Sequence, residues 1–331
     1  MDETHRIREE RQPQRYLNSI TIKEGEGQTM KSWEFTEVKD NKIKIDRWLS
    51  SIMGLVEGGY VYSTLFKYPE KGPKRYELIL SMYPQENFRT LTQINVYMED
   101  VPGSTVQSAK FLSDQGINIL NSVSLNGISD TTIIWNIMGE VNFAGEGDII
   151  KERFANLKAM NDPSVDKIKY ISIKPANIGR IFRKESEGTI KEELRHGAPI
   201  TLTDDSFDLS VEYGDILTDV NNTEVMIAVD PSSWLVSVVF FKPDTKLVEF
   251  NVSIPDCPGT INRSLDFLAK SNINIISVFT KIMIAYQTMS VEVVADMKNS
   301  KVKFDDLQKS ITDYYEGLNW IYELNSIKKL N

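Results

Sequence analysis

Hydrophobic positions fall into the same succession of patterns twice along this chain. Strands are predicted over residues 93–98 and again over 249–254. Apolar residues at helical spacing follow each of them: Val106, Ala109, Phe111 and Leu112 in the first series, Ile261, Leu265, Phe267 and Leu268 in the second. β-branched runs at 117–123 and 273–279 then predict buried strands, with further strands over 131–141 and 285–294. Helical patterns at 149–160 and 302–314 and closing strands at 167–173 and 320–324 complete each series. The order βαββαβ predicts an α+β fold in which each unit is one antiparallel sheet with two helices on one face.

The junction between first strand and first helix is also repeated residue by residue. Val96-Tyr97-Met98-Glu99-Asp100-Val101-Pro102-Gly103, followed by Asn118-Ile119, returns as Val252-Ser253-Ile254-Pro255-Asp256-Cys257-Pro258-Gly259, followed by Asn274-Ile275. The offset is constant, since 256 − 100 and 274 − 118 are both 156. Internal duplication therefore organises the chain. In Asp-x-Pro-Gly the proline fixes φ and the glycine frees it, so the backbone turns sharply at the strand end. Ser104 and Thr260 come next, at N-cap positions of the predicted helices. A helix N-terminus carries unpaired N–H groups and the positive end of the dipole, which suit a carboxylate or phosphate, and glycine removes the Cβ that would block approach. The same residues also have a purely structural reading. The turn suits any fold, Ser104 and Thr260 serve as caps, and an asparagine before a buried strand satisfies backbone groups.

At these residues the sequence resembles the ACT family of regulatory domains, over most of residues 93–175 and 247–329. The resemblance implies two ferredoxin-like domains of a kind that pairs edge to edge and binds amino acids at the pair interface. It implies one ligand site of Asp100, Gly103, Ser104 and Asn118 and a second of Asp256, Gly259, Thr260 and Asn274. The chain departs from some serine-binding members, which have a histidine where Met98 and Ile254 stand here. A bulky aliphatic residue two positions after the glycine, common in the family, is supplied by Ile261 but not by Thr105.

A fainter repeat precedes each unit. Residues 42–62 read as a strand, a short helix, a glycine turn and a second strand, with a hairpin partner over 76–82. Their counterpart runs from Phe207 through Asp215 and 225–229 to a strand over 234–241. The first copy is similar to the swapped-hairpin, AbrB-like fold of transcription regulators, through Gly54-Leu55-Val56-Glu57-Gly58, glycines that the second copy lacks. That resemblance implies that the two copies pair within one chain. The domain reading is then an N-terminal arm over 1–32, a β-rich module over 33–90, an ACT-like domain over 91–176, a charged linker of helical character over 177–199, a second β-rich module over 200–246 and a second ACT-like domain over 247–331.

Charge narrows the partners. The chain has 331 residues and a net charge of −9, which disfavours general attraction to nucleic acid or anionic membrane. Lys42, Lys44, Arg47, Lys67, Lys71, Lys74 and Arg75 leave DNA as an alternative that is not favoured, because affinity for phosphates needs a basic footprint. No apolar run is long enough to span a bilayer, so a cytoplasmic protein without a membrane partner is expected. Cys257 is the single cysteine; a solvent-facing spacer is favoured over a reactive thiol, since no histidine lies near it in sequence. His5 and His196 are far apart, and the usual zinc sets cannot be assembled from them. Gly145-Glu146-Gly147 lacks the lysine of a phosphate loop and reads as a turn. Asp204-Asp205 and Asp305-Asp306 read as surface or capping groups before or within helices. The expected protein has no catalytic residues, no metal and no cofactor. It is a regulator taking an amino acid or similar small ligand, with homo-oligomers formed through the ACT-like domains. The alternatives are a ligand-responsive DNA-binding regulator and a regulatory subunit of an enzyme of amino-acid metabolism.

Overall fold

The computed structural model describes residues 33–70, 72–84, 90–126, 131–176, 191–230, 235–318 and 322–330. The expected N-terminal arm, Lys71, most of the expected linker and Trp320 lie outside them.

The first β-rich module contains β1 (Trp33–Glu37), β2 (Lys42–Lys44), α1 (Arg47–Ile52), β3 (Tyr60–Lys67) and β4 (Lys74–Ser81). The first ACT-like unit follows as β5 (Leu91–Glu99), α2 (Ser104–Asp114), β6 (Asn118–Asn126), β7 (Thr132–Glu140), α3 (Glu146–Ala159) and β8 (Ile168–Pro175). The second β-rich module contains β9 (Glu192–Thr203), β10 (Ser206–Asp208), α4 (Ser210–Tyr213), β11 (Glu224–Asp230) and β12 (Leu235–Phe241). The second ACT-like unit is β13 (Leu247–Pro255), α5 (Thr260–Lys270), β14 (Asn274–Ile284), β15 (Thr288–Asp296), α6 (Phe304–Gly317) and β16 (Glu323–Lys329).

The two β-rich modules share one sheet, in the order β1-β11-β12-β4-β3-β9-β10-β2. Its ends are joined, because Lys39 and Lys42 exchange backbone hydrogen bonds of 3.0 and 2.8 Å across the β1–β2 hairpin. The result is a closed antiparallel ring in which hairpins of the two copies alternate. Exchanging the copies reproduces the ring, and local geometry repeats with it. Asp40-Asn41 and Asp204-Asp205 are two-residue hairpin loops with φ of 51°, 57°, 52° and 55°, the primed turns that match strand twist. Gly58, at φ 75°, donates its N–H to the Leu202 carbonyl at 2.9 Å, and Asn222, at φ 60°, donates to the Val38 carbonyl at 2.8 Å. Asparagine tolerates the left-handed conformation, which is how the second copy dispenses with that glycine.

The inner face of the ring is one core fed by both copies, with Ile43, Leu49, Leu65 and Leu78 from the first and Phe207, Tyr213, Val225 and Phe240 from the second. The outer face is buried as well. Phe66, Ile79 and Leu235 pack against Leu91, Met138 and Ala176 of the first ACT-like unit. Trp33, Met226, Val239 and Phe241 pack against Leu247 and Val294 of the second. Burial on both faces explains the apolar runs in β4, β11 and β12, interrupted by Glu77 in β4 and Ser237 in β12. In each ACT-like unit the four strands run β6-β7-β5-β8 or β14-β15-β13-β16, all antiparallel, and the helices cover the face turned away from the ring.

Two expectations need correction. Residues 192–199, expected to be helical, lie in β9, where alternate Ala198, Ile200 and Leu202 are buried and pairing with β3 settles the conformation. Asp204-Asp205 forms a hairpin turn rather than preceding or entering a helix. Asp305-Asp306 does sit in the first turn of α6, where the dipole favours acids.

Candidate functional site

The two glycine turns are built alike. Asp100 and Asp256 leave their strands with N–H groups bonded at 3.1 Å to the carbonyls of Thr131 and Gln287. Gly103 (φ 91°, ψ −6°) and Gly259 (φ 89°, ψ −8°) then cap α2 and α5, and neither helix receives a side-chain cap. Ser104 and Thr260 are the first helical residues rather than the caps. The glycine takes the cap position because only it enters the left-handed region without strain. Since glycine supplies no acceptor, the first-turn N–H groups lack the side-chain oxygen that a serine or aspartate cap provides.

Around this shared frame the two turns differ. At the first, Lys167 reaches over the glycine and donates to the Pro102 carbonyl at 2.9 Å. Gln107 ties the same corner to the carbonyl of Pro163 and the carboxylate of Asp166, each at 2.7 Å. The Ser104 hydroxyl is buried and, among the described residues, has no hydrogen-bond partner. At the second turn, Thr260 donates its hydroxyl to the Cys257 carbonyl at 2.8 Å, and the Asp256 carboxylate accepts from the Tyr286 N–H at 2.7 Å. Nothing among the described residues stands within 4 Å of where a Cβ on Gly259 would lie, and Cys257 is exposed. Met98 and Ile254 are core residues, so the positions that hold histidine in some family members face inward here.

Asn118 and Asn274 are elsewhere. Asn118 opens β6 opposite Glu140, which pairs with Leu91 at the start of β5. Asn274 opens β14 opposite Asp296, which pairs with Leu247 at the start of β13. Each asparagine is therefore a strand length from its own glycine turn, about 26 Å at 3.3 Å per residue. Each unit brings its aspartate, glycine and hydroxyl together and leaves its asparagine at the opposite end.

Asn274 instead borders a cleft of about 210 Å³ between the ring and the second ACT-like unit, lined by Tyr68, Gly72, Pro73, Lys74, Asn274, Ile275 and Ile276. Behind it lies a buried charge cluster that sequence spacing did not reveal. Glu77 accepts from the Tyr68 hydroxyl at 2.8 Å, from the Ser237 hydroxyl at 2.6 Å and from the Lys191 ammonium. The ammonium groups of Lys191 and Lys74 stand 4.7 and 5.4 Å from the centre of the Tyr68 ring. Ser237 is on the outward row of β12 between Leu235, which meets the first ACT-like unit, and Val239, which meets the second. The cluster thus occupies the ring wall between the two docking patches.

Burial pushes the Glu77 carboxyl up, but Lys191 and the hydrogen bonds from Lys191, Ser237 and Tyr68 outweigh it and hold the group below its ordinary 4.5. A carboxyl depressed in the folded state contributes stability above its unfolded value, and that contribution is lost as pH falls through the lower folded value. Unfolding midpoints measured as pH is lowered below 4.5 are therefore expected to fall more steeply for the parent than for Glu77→Gln. Parallel curves would show that Glu77 is not held ionised by these partners.

Elsewhere, two of the basic residues that left DNA as an alternative are neutralised: Arg47 by Asp205 at 3.0 Å and Arg75 by Asp219 at 2.8 Å. No helix among the described residues is long and apolar enough to cross a membrane.

No protein-family model matches the chain, and no curated protein matches it. Solved structures do. An unknown protein from Galdieria sulphuraria is 14% identical and covers 73% of this chain and 99% of its own at a TM-score of 0.22. A protein described as a glycine cleavage system transcriptional repressor is 11% identical over 72% and 98%, at 0.23. The ligand-free regulatory subunit of aspartate kinase from Thermus thermophilus is 9% identical over 69% and 91%, at 0.19. At such TM-scores these likenesses carry no weight beside the strand orders themselves.

Proposed function

We propose that this chain is a noncatalytic regulatory protein whose ACT-like domains bind an amino acid or a similar small ligand. The observation that carries the reading is the repeated N-terminus of α2 and α5, each capped by a left-handed glycine with no side-chain cap. Backbone N–H groups there are suited to a carboxylate. Asp100, Gly103 and Ser104 form one half-site and Asp256, Gly259 and Thr260 the other. Asn118 and Asn274, at the far ends of the edge strands β6 and β14, join a glycine turn only when an ACT-like domain pairs antiparallel, edge to edge, with one from a second chain. Lys167 adds a positive charge to the first half-site, which favours it for an acidic group. Docking of both domains on one ring gives ligand occupancy a route to domain geometry, provided the ligand binds two arrangements with different affinity.

Thermal unfolding of the purified chain against each of the twenty amino acids tests this. A ligand at about 100 times its Kd stabilises by about 2.7 kcal/mol, a visible shift of the midpoint. Gly103→Ala and Gly259→Ala, strained by roughly 1–2 kcal/mol at positive φ, are expected to lower the unliganded midpoint and remove the ligand shift. Asn118→Ala and Asn274→Ala, at exposed positions, are expected to remove only the shift. No shift with any amino acid removes the proposal and leaves the domains a structural or protein-binding role.

A further inference from the structure

The cleft beside Asn274 has chemistry of its own. Lys74 is half-buried and, among the described residues, forms no ion pair within 4 Å. Its neighbours in the cluster are the Glu77 carboxylate and the Lys191 ammonium, which are already joined to each other. Glu77 also holds the Tyr68 and Ser237 hydroxyls. Among the described residues the cluster therefore carries one positive charge more than negative, and Lys74, whose ammonium stands 5.4 Å from the centre of the Tyr68 ring, is a lining residue of the cleft. On the opposite wall the exposed Asn274 amide makes no hydrogen bond among the described residues. The remaining lining is Gly72 and Ile275, whose side chain packs with the core of the second unit, together with the apolar Pro73, Ile276 and Tyr68 ring. One free cation, one free amide and an apolar wall match a small molecule with a carboxylate at one end and an aliphatic body at the other.

We propose that this cleft binds a small aliphatic carboxylate, with the Lys74 ammonium and the Asn274 amide on the carboxylate and Ile276, Pro73 and the Tyr68 ring around the aliphatic part. The site contains neither glycine turn, shares Asn274 with the proposed turn site, and needs no second chain. Lys74 and Tyr68 belong to the β3–β4 hairpin of the ring, and Asn274, Ile275 and Ile276 belong to β14. A bound carboxylate therefore bridges the two bodies and favours the arrangement in which they are in contact.

The test uses the full chain with isovalerate as probe and isovaleramide, its neutral counterpart, as control, followed by calorimetric titration. Saturable binding of isovalerate and none of the amide is expected. Lys74→Met keeps the apolar stem and is expected to weaken binding about tenfold or more, the usual size of a lost charged hydrogen bond. Asn274→Ala, on the surface, is expected to weaken it with no change in the unfolding midpoint, which keeps the test valid if the lysine variant misfolds. Absence of saturable binding, equal binding of acid and amide, or binding retained in Asn274→Ala and in a folded Lys74→Met would overturn the assignment. Binding abolished by Gly103→Ala or Gly259→Ala with Lys74→Met unaffected would move the carboxylate to the glycine turns and also overturn it. Failure here leaves the amino-acid screen standing, since there Gly103→Ala, Gly259→Ala and Asn118→Ala, none of which touches the cleft lining, report on the turns.

Discussion

A chain cut between Ala176 and Lys191 by an inserted protease site is expected to remain one particle. Half of the seams of the ring, β1–β11, β12–β4, β3–β9 and β10–β2, join the first copy to the second. Severing the covalent link leaves those seams and the shared inner core intact, so the two pieces should co-elute and unfold in one transition. Separated in denaturant and returned to buffer alone, each piece presents strands whose partners are gone. The first exposes Leu65 and Leu78, the second Phe207 and Phe240, all fully buried in the intact chain. Neither piece is then expected to be a folded monomer; it aggregates or pairs with a second copy of itself. Size-exclusion chromatography with light scattering decides. Two stable folded monomers would contradict the interleaved ring.

The next largest effect is expected at Tyr213. Its side chain is fully buried in the ring core, and burial pushes its hydroxyl up to about 12. The hydroxyl donates to the Ser63 carbonyl at 3.1 Å and lies 2.8 Å from the Ser63 hydroxyl, which itself donates to the Ala198 carbonyl. One residue of α4 in the second copy is thus bonded to β3 of the first, and Ser63 carries the network on to β9. Tyr213→Ala removes both the ring and the bond and is expected to cost about 3–5 kcal/mol, a large share of the roughly 5–15 kcal/mol of a typical domain. Tyr213→Phe keeps the packing and should cost only about 1–2 kcal/mol, for the broken hydrogen bond. Denaturant midpoints at unchanged slope are the readout. A loss under about 1 kcal/mol for the alanine variant would mean that the core collapses around the gap and that this contact does not hold the copies together.

Much of this architecture was legible in the sequence. The duplicated strand, glycine turn and helix identified both ACT-like units, because Asp-x-Pro-Gly leaves few backbone choices and the apolar spacing downstream repeats. Equivalence of the ring modules was harder to read, since their shared constraint is a conformation and not a residue type. Gly58 and Asn222 both occupy positive φ, as do Asp40-Asn41 and Asp204-Asp205; 222 − 58, 204 − 40 and 205 − 41 are each 164. The strand over 192–203 was hidden by the mixed charges of Glu192, Glu193, Arg195 and His196, although period-two burial of Ala198, Ile200 and Leu202 was its signal. The separation of turn and asparagine was implicit in the predicted order. A helix that leaves one end of a strand returns the chain to the other end, so the asparagine opening the next strand lies far from the turn. The Glu77 cluster and the cleft were not legible, because Tyr68 and Asn274 meet only through docking of the second unit on the ring.

Ligand binding at the glycine turns is tested most directly by amide hydrogen exchange on the intact chain, with and without a mixture of the twenty amino acids at high concentration. The account predicts slowed exchange at the first-turn amides of α2 and α5, in peptides covering 103–108 and 259–264, together with the starts of β6 and β14. Unchanged exchange at all four places, or protection confined to segments away from them, would contradict it.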